Sequence, residues 1–409
     1  MTITATAPFN GTATSVPTTD LPALIREVSD YLNGYLIDRS EAIEAAVYGM
    51  LTGQNVMMWG PPGTSKSYLA RLLASCLHAE FFAVQFHQLM GLEDINGPLN
   101  MKKFDETGEW VRKIEGYYPT AEIALTDEVD KASAAVLGPM LTAWNERTYR
   151  HGDTEIDLPT LFNIGTSNAA LDDPTAATFD RWLIRTMVDY VKDGDDFLRL
   201  LQVADAPTPP ASLTVDDVRA IQAQVATVSL SGATLGATLR IRMDLREAGI
   251  VPSDRRWLQS MALVRATAWL DGRTTTVIDD LAALRFSLWL TPEQQDKVTD
   301  VVLTVSSPQA KEIRQLAAVV DAVQARFAAA ANSSGENNVR WAVEAKTDML
   351  DAFAQLREMR EDGVGGRSKT LVDDLMTKIP EITARLMMLA RQTRTIEAAR
   401  AALKFEFGE

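Results

Sequence analysis

Apolar positions fall into two kinds of pattern along the chain. Short apolar runs bounded by glycine, proline or polar turns predict strands at residues 55–59, 81–86, 123–128, 160–166 and 184–188. Between them, apolar residues recur at helical spacing over 21–33, 40–51, 68–77 and 133–147, with Ser40 expected to cap the second helix. Strands alternating with helices predict an α/β fold built on a parallel, doubly wound sheet. From Asp216 the pattern is helical with few β-branched runs. It breaks at Gly249-Ile250-Val251-Pro252 and resumes over 253–270, where Ser253 is the expected N-cap. Beyond about Ser306 the chain is helical and alanine-rich, with breaks at 332–337 and 361–366, which predicts a bundle or hairpin of three or four helices. One stretch fits neither pattern: residues 87–118, punctuated by Gly91, Gly97, Gly108 and Gly116, are too long for an ordinary connection.

The first strand runs directly into Gly60-Pro61-Pro62-Gly63-Thr64-Ser65-Lys66-Ser67, followed by Tyr68 and the helical pattern. Strand, glycine loop and helix in this order make a phosphate cradle: backbone N–H groups surround an anion at a helix N-terminus. In that reading Lys66 reaches the β/γ phosphates and the Ser67 hydroxyl ligates Mg²⁺. Ser65 stands where the motif asks for glycine, so the loop alone is a degenerate match, and an ordinary tight turn stays open. The third strand ends in Asp127-Glu128. A buried parallel strand carries such carboxylates to the edge where a phosphate loop sits. Asp127 is then the Mg²⁺ ligand and Glu128 the group that polarises the attacking water, solvated acids being the bland alternative. Asn168, after the fourth strand, could orient that water or simply serve a turn.

Composition narrows the reading. A chain of 409 residues, 46% hydrophobic and 23% charged, has core enough for two or three domains. A net charge of −15 argues against a nucleic-acid coat held by bulk charge. The single Cys76 forms no internal disulfide and suits a reducing cytoplasm. The first twenty residues, rich in Thr, Ala and Pro, lack a secretory pattern and are expected to be a disordered lead. No apolar run reaches the length of a membrane span, so a cytoplasmic protein is expected. The three histidines show no metal-ligand spacing.

The glycine loop, the strand ending in Asp127-Glu128, Ser167-Asn168 and Phe179-Asp180-Arg181 together resemble the AAA+ ATPase module, and in particular the MoxR family. Glu93-Asp94-Ile95-Asn96-Gly97-Pro98-Leu99, Leu141-Thr142-Ala143-Trp144-Asn145-Glu146-Arg147 and Ser253-Asp254-Arg255-Arg256-Trp257 carry the family resemblance further. The last two, with Asp180-Arg181-Trp182-Leu183-Ile184-Arg185, are most similar to the RavA branch, which tolerates a small residue at the position of Ser65. The resemblance covers about residues 21 to 300.

It implies an AAA+ core of a parallel five-stranded sheet flanked by helices over 21–194, with a hairpin insert near 87–118. An all-α lid would follow over 195–300 and a C-terminal helical region over 301–409. It implies Lys66 and Ser67 in Walker A, Asp127 and Glu128 in Walker B, Asn168 as sensor 1, Arg181 as the arginine finger and Arg255 as sensor 2. Arg256 and Arg185 stand as neighbours of those roles. ATP and Mg²⁺ are the implied cofactors, a ring with six subunits the implied assembly, and a protein with a von Willebrand factor A domain the implied partner. The function so implied is chaperone-like remodelling, assembly or activation of that partner. A nucleotide-gated scaffold with little hydrolysis is the alternative. DNA remodelling stands third, against the acidic balance. The tail lacks the small β-rich insertion of the RavA pattern.

Overall fold

In the computed structural model, the described residues are 20–168, 180–203, 209, 213–330, 336–361, 366–390 and 395–407. The expected disordered lead falls outside them except for Asp20, which caps the first helix by accepting a hydrogen bond from the Ala23 amide at 3.0 Å. Phe179 and most of both expected tail breaks lie outside them as well.

Nine strands are described: β1 Val56–Trp59, β2 Leu77–His78, β3 Phe81–Gln85, β4 Ile123–Asp127, β5 Thr148–His151, β6 Thr154–Asp157, β7 Phe162–Ser167, β8 Ile184–Met187 and β9 Leu213–Thr214. Five make one parallel sheet in the order β3-β4-β7-β1-β8. Both faces of the central strands are covered: β1 and most of β4 read as apolar runs, and β1 and β7 are buried throughout. The helices before and within this core are α1 Leu21–Tyr35, α2 Ser40–Thr52, α3 Lys66–Ser75, α4 Glu93–Asn96, α5 Met101–Thr107 and α6 Ala134–Glu146.

One hydrophobic cluster joins α1, α2 and α3 to one face of the sheet. The other face packs against α6 and later helices through Trp59, Trp144, Trp182 and Trp289, with ring centroids 5.3 Å apart for Trp59–Trp289 and 4.8 Å for Trp144–Trp182. Replacing one of these buried indoles by alanine would cost about 3–5 kcal/mol. Gly165 of β7 leaves room for this packing: a Cβ there would lie 2.7 Å from the Trp182 ring.

Helices Val215–Thr227, Gly232–Glu247 and Asp254–Leu270 follow the sheet, then Gln295–Ser306. Ser253 caps the third of these, accepting from the Arg256 amide at 3.2 Å. The tail helices Pro308–Ala330, Glu336–Glu361, Gly366–Leu389 and Ile396–Phe407 enclose a separate apolar core that includes Ile313, Val320, Met349, Leu356, Ile379 and Leu386.

Two local expectations need revision, and one element was not foreseen. Ser40 is the first residue of α2 rather than its cap, because Arg39 takes that position and the Ser40 hydroxyl donates to Asn33 Oδ1 at 2.7 Å. Residues 87–118, where the hairpin insert is expected, hold α4 and α5 and one isolated antiparallel bridge, Leu99 with Arg112. Asn100 caps α5 and Gly108 ends it in the left-handed region, so a short helix stands between the two bridged positions. The β5–β6 hairpin was not foreseen, although Gly152-Asp153 between Thr148–His151 and Thr154–Asp157 is a two-residue turn signal. Cys76 closes α3 as its C-cap rather than lying within it. It is buried, and burial pushes its thiol pKa up to about 12.

Candidate active site

Because the sheet is parallel, Trp59, Asp127, Ser167 and Met187 all end their strands at the same edge, with Trp59 in register with both Ser167 and Met187. The glycine loop leaves β1 there. Gly60 has φ of +151°, and a Cβ on it would lie 1.9 Å from the Val188 carbonyl oxygen, so only glycine fits beside β8. Gly63 and Ser65 have φ of +78° and +66°. Ser65 therefore adopts the left-handed conformation for which the motif uses glycine, and the chain meets the geometry at a steric cost of about 1–2 kcal/mol. Arg39, buried before α2, donates from Nε to the Thr64 carbonyl at 2.9 Å, and the Thr64 hydroxyl donates to the Pro61 carbonyl at 2.9 Å. Pro62 and Gly63 stay exposed on the outer face of the loop, as does Tyr68 in the first turn of α3.

Lys66 opens α3 and is only 6% exposed. Its Nζ lies 2.8 Å from the carbonyl oxygens of Gly60 and Pro61, 3.2 Å from Thr64 Oγ1 and 3.3 Å from Asn168 Oδ1. Three ammonium protons are thus shared among four oxygens. Burial lowers the lysine pKa, Asp127 opposes that shift, and Arg39 adds to it. Ser67 Oγ donates to Asp127 Oδ2 at 2.7 Å, while Asp127 Oδ1 accepts from the Thr166 hydroxyl and from the Glu128 amide at 3.1 Å.

Glu128 follows β4 in the left-handed region, φ +55°, which turns its side chain away from the strand direction. Glu128 Oε1 accepts from Asn168 Nδ2 at 3.2 Å. Oε2 accepts from Gln85 Nε2 and Lys131 Nζ, each at 2.9 Å. Hydrogen bonds from Lys131 and then Gln85 hold the Glu128 pKa below the usual carboxylate range. Asn168 thus bridges Lys66 and Glu128.

These contacts gather the loop, Asp127, Glu128 and Asn168 into one cluster. The donor chemistry fits ATP with Mg²⁺: loop amides at a helix N-terminus suit phosphate, and the adjacent Ser67 hydroxyl and Asp127 carboxylate are hard oxygen ligands. Among the described residues no group of three or more His, Cys, Asp and Glu forms a metal cage. Magnesium characteristically takes only one or two protein carboxylates and completes its shell with phosphate and water.

The remaining expected residues lie apart from this cluster. Arg181 is half-buried ahead of β8, and its carbonyl accepts from Asn55 Nδ2 at 3.0 Å. Arg255 is exposed in the first turn of helix Asp254–Leu270 and donates to Asn145 Oδ1 near the end of α6. Arg256, its neighbour, is 1% exposed. It donates to the carbonyls of Ser287 at 2.9 Å and Leu183 at 3.2 Å, and to Asp180 Oδ1 at 3.0 Å. Arg185 is fully buried beside it, donating to the carbonyls of Trp182 and Trp289. Both arginines therefore tie the sheet to the helices that follow. Sequence reasoning missed Gln85 and Lys131, although Gln85 ends a strand adjacent to β4 and Lys131 lies three residues beyond Glu128.

Comparison with known proteins agrees with this architecture. Residues 23–219 match the family model described as the MoxR domain in the MoxR-vWA-beta-propeller ternary systems, and residues 234–302 match an AAA lid domain. Two uncharacterized proteins of Methanocaldococcus jannaschii are similar. One is 30% identical over 285 residues, 69% of this chain and 76% of that protein. The other is 29% identical over 297 residues, 72% of this chain and 78% of that protein. The solved structure of a candidate ATPase from Cytophaga hutchinsonii has the same fold, with TM-score 0.56, 17% identity, and coverage of 69% of this chain and 94% of that one. Fold, site geometry and these relatives agree: the chain belongs to the MoxR family of AAA+ ATPases.

Proposed function

We propose that this chain hydrolyses Mg-ATP in a ring, expected to be a hexamer, and uses the cycle to remodel, assemble or activate a protein partner in the cytoplasm. The observation that carries the reading is the single cluster of Lys66, Ser67, Asp127, Glu128 and Asn168 at the carboxyl edge of the sheet. In this reading the loop from Gly60 to Ser67, with Tyr68 behind it, holds the phosphates, and Lys66 turns from the loop carbonyls to the β/γ phosphates. Ser67 and Asp127 would hold Mg²⁺, which supplies charge neutralisation on the phosphate oxygens. Glu128 takes a proton from the attacking water that Asn168 orients. Arg181 serves a neighbouring subunit and Arg255 acts from the lid. The proposed division is a core over 21–194, a lid over 195–300 and a tail over 301–409, with the RavA branch the nearest in motif. A partner with a von Willebrand factor A domain fits the systems for which the matching family model is named.

A second reading, a nucleotide-gated scaffold with little turnover, is favoured by one observation: Glu128 is engaged by Lys131 and Gln85, which weakens it as a base. Steady-state Mg-ATP hydrolysis with and without a co-purifying partner containing that domain separates the two. The motor reading expects turnover that the partner changes several-fold. ATP binding with no turnover in either condition supports the scaffold.

A further inference from the structure

At the opposite end of β1 from the phosphate loop, one buried amide uses its whole hydrogen-bonding capacity. Asn55, 5% exposed, donates from Nδ2 to the carbonyls of Trp144 at 2.9 Å and Arg181 at 3.0 Å. Its Oδ1 accepts from Arg147 Nη2 at 2.9 Å and Asn163 Nδ2 at 2.8 Å. Two donors and two acceptor sites are all an amide has. Arg147 Nη2 also donates to the Gly53 carbonyl at 2.9 Å, and Asn163 Oδ1 accepts from the Tyr118 hydroxyl at 3.0 Å. The orientation of the Asn55 amide is therefore fixed from three sides before it meets Arg181. On the other flank of Arg181, the carboxylate of Asp180 accepts from buried Arg256. The Arg181 backbone is pinned to the sheet by Asn55 and to the lid by Arg256.

We infer that Asn55 is a positioning residue for Arg181, fixing the carbonyl of Arg181 and with it the direction in which the guanidinium leaves the subunit. This rests on the reading of Arg181 as an arginine supplied to a neighbour's nucleotide. Asn55 immediately precedes the four residues of β1, and Gly60 follows them. One short rigid strand thus ties the nucleotide loop of a subunit at one end to the arginine it offers its neighbour at the other. A group reaching across an interface works only when held to within a fraction of an ångström, and a misplacement of about 1 Å can cost about 100-fold in rate.

Asn55→Asp is the informative change. It keeps an acceptor for Arg147 and Asn163 but presents a carboxylate oxygen, rather than N–H, to the carbonyls of Arg181 and Trp144. The expected result is a kcat lowered about 10- to 100-fold with nucleotide affinity within about twofold of wild type. The defect should also belong to the donated arginine. Mixed rings of Asn55→Asp with Lys66→Ala recover hydrolysis, as do rings of Arg181→Ala with Lys66→Ala, whereas Asn55→Asp mixed with Arg181→Ala recovers none.

Asn55→Ser, too short to reach the Arg181 carbonyl, repeats the test if the aspartate variant does not fold. Failure of both to fold makes Asn55 structural and overturns the inference. So does wild-type kcat in a folded variant, or a defect that Lys66→Ala subunits do not relieve although they relieve Arg181→Ala. If verified mixed rings of Arg181→Ala and Lys66→Ala recover nothing, the reading of Arg181 itself fails and takes this inference with it.

Discussion

Arg255 and Arg256 are adjacent, yet the structure predicts that they fail in different ways. In Arg256→Met the aliphatic stem is kept and the buried guanidinium is lost, so the carbonyls of Leu183 and Ser287 lose a charged donor where water cannot replace it. Each unsatisfied carbonyl costs about 1–3 kcal/mol. The ion pair with Asp180 adds little, since that carboxylate is 40% exposed and the contribution is nearer about 0–1 kcal/mol. Relief of repulsion offsets part of the loss, because Arg185 is buried alongside and its pKa is lowered by burial and then by Arg256. The net expectation is a loss of about 2–4 kcal/mol, read as a lower urea midpoint by tryptophan fluorescence, to which Trp182 and Trp289 of the same junction contribute. Arg255→Met removes an exposed side chain whose bond to Asn145 is solvated, and should change stability by less than about 0.5 kcal/mol. If Arg255 acts on nucleotide, this silent substitution should still lower hydrolysis, by about 10-fold or more. An unchanged urea midpoint for Arg256→Met, or a larger destabilisation by Arg255→Met, would refute the structural reasoning. Wild-type turnover by Arg255→Met would remove it from the site.

Other outcomes follow from the loop and the acids. Lys66→Ala should weaken ATP binding in a titration calorimetry experiment, whereas Ser65→Gly, which relieves a side chain at φ +66°, should retain binding and raise stability by about 0.5–1 kcal/mol. Lys131→Met should move the acid limb of the hydrolysis profile to higher pH. Lys131 is the main group holding the Glu128 pKa down, so without it the carboxylate protonates earlier as pH falls. An unmoved limb in a pH series of kcat would separate Glu128 from the rate. The same pairing contributes stability that is present above the ordinary glutamate pKa and lost as pH falls through the depressed folded value.

The sheet was legible because β1, β4 and β7 are buried on both faces, and the apolar runs of β1 and β4, each ending in chemistry, are hard to mistake. Asp127, Glu128 and Asn168 converge for the same reason: parallel strands deliver their C-terminal residues to one edge. Adjacent residues on a helix point about 100° apart, so sequence could name Arg255 and Arg256 but not say which would be buried. Asn55 read simply as the start of a strand, since its four partners lie between 89 and 126 residues away, 92 and 108 among them. The β5–β6 hairpin carried a turn signal, but its strands are short and half-exposed, which leaves little apolar pattern to read.

The central claim is that Glu128 activates water beside a nucleotide held by the loop and Asp127. Nucleotide binding and single-turnover hydrolysis measured together on Glu128→Gln test it most directly, because the amide preserves size and removes the base. The account predicts ATP affinity close to wild type with hydrolysis lowered about 10²–10⁴-fold. Near-normal hydrolysis by Glu128→Gln, in protein shown to bind ATP, would contradict it.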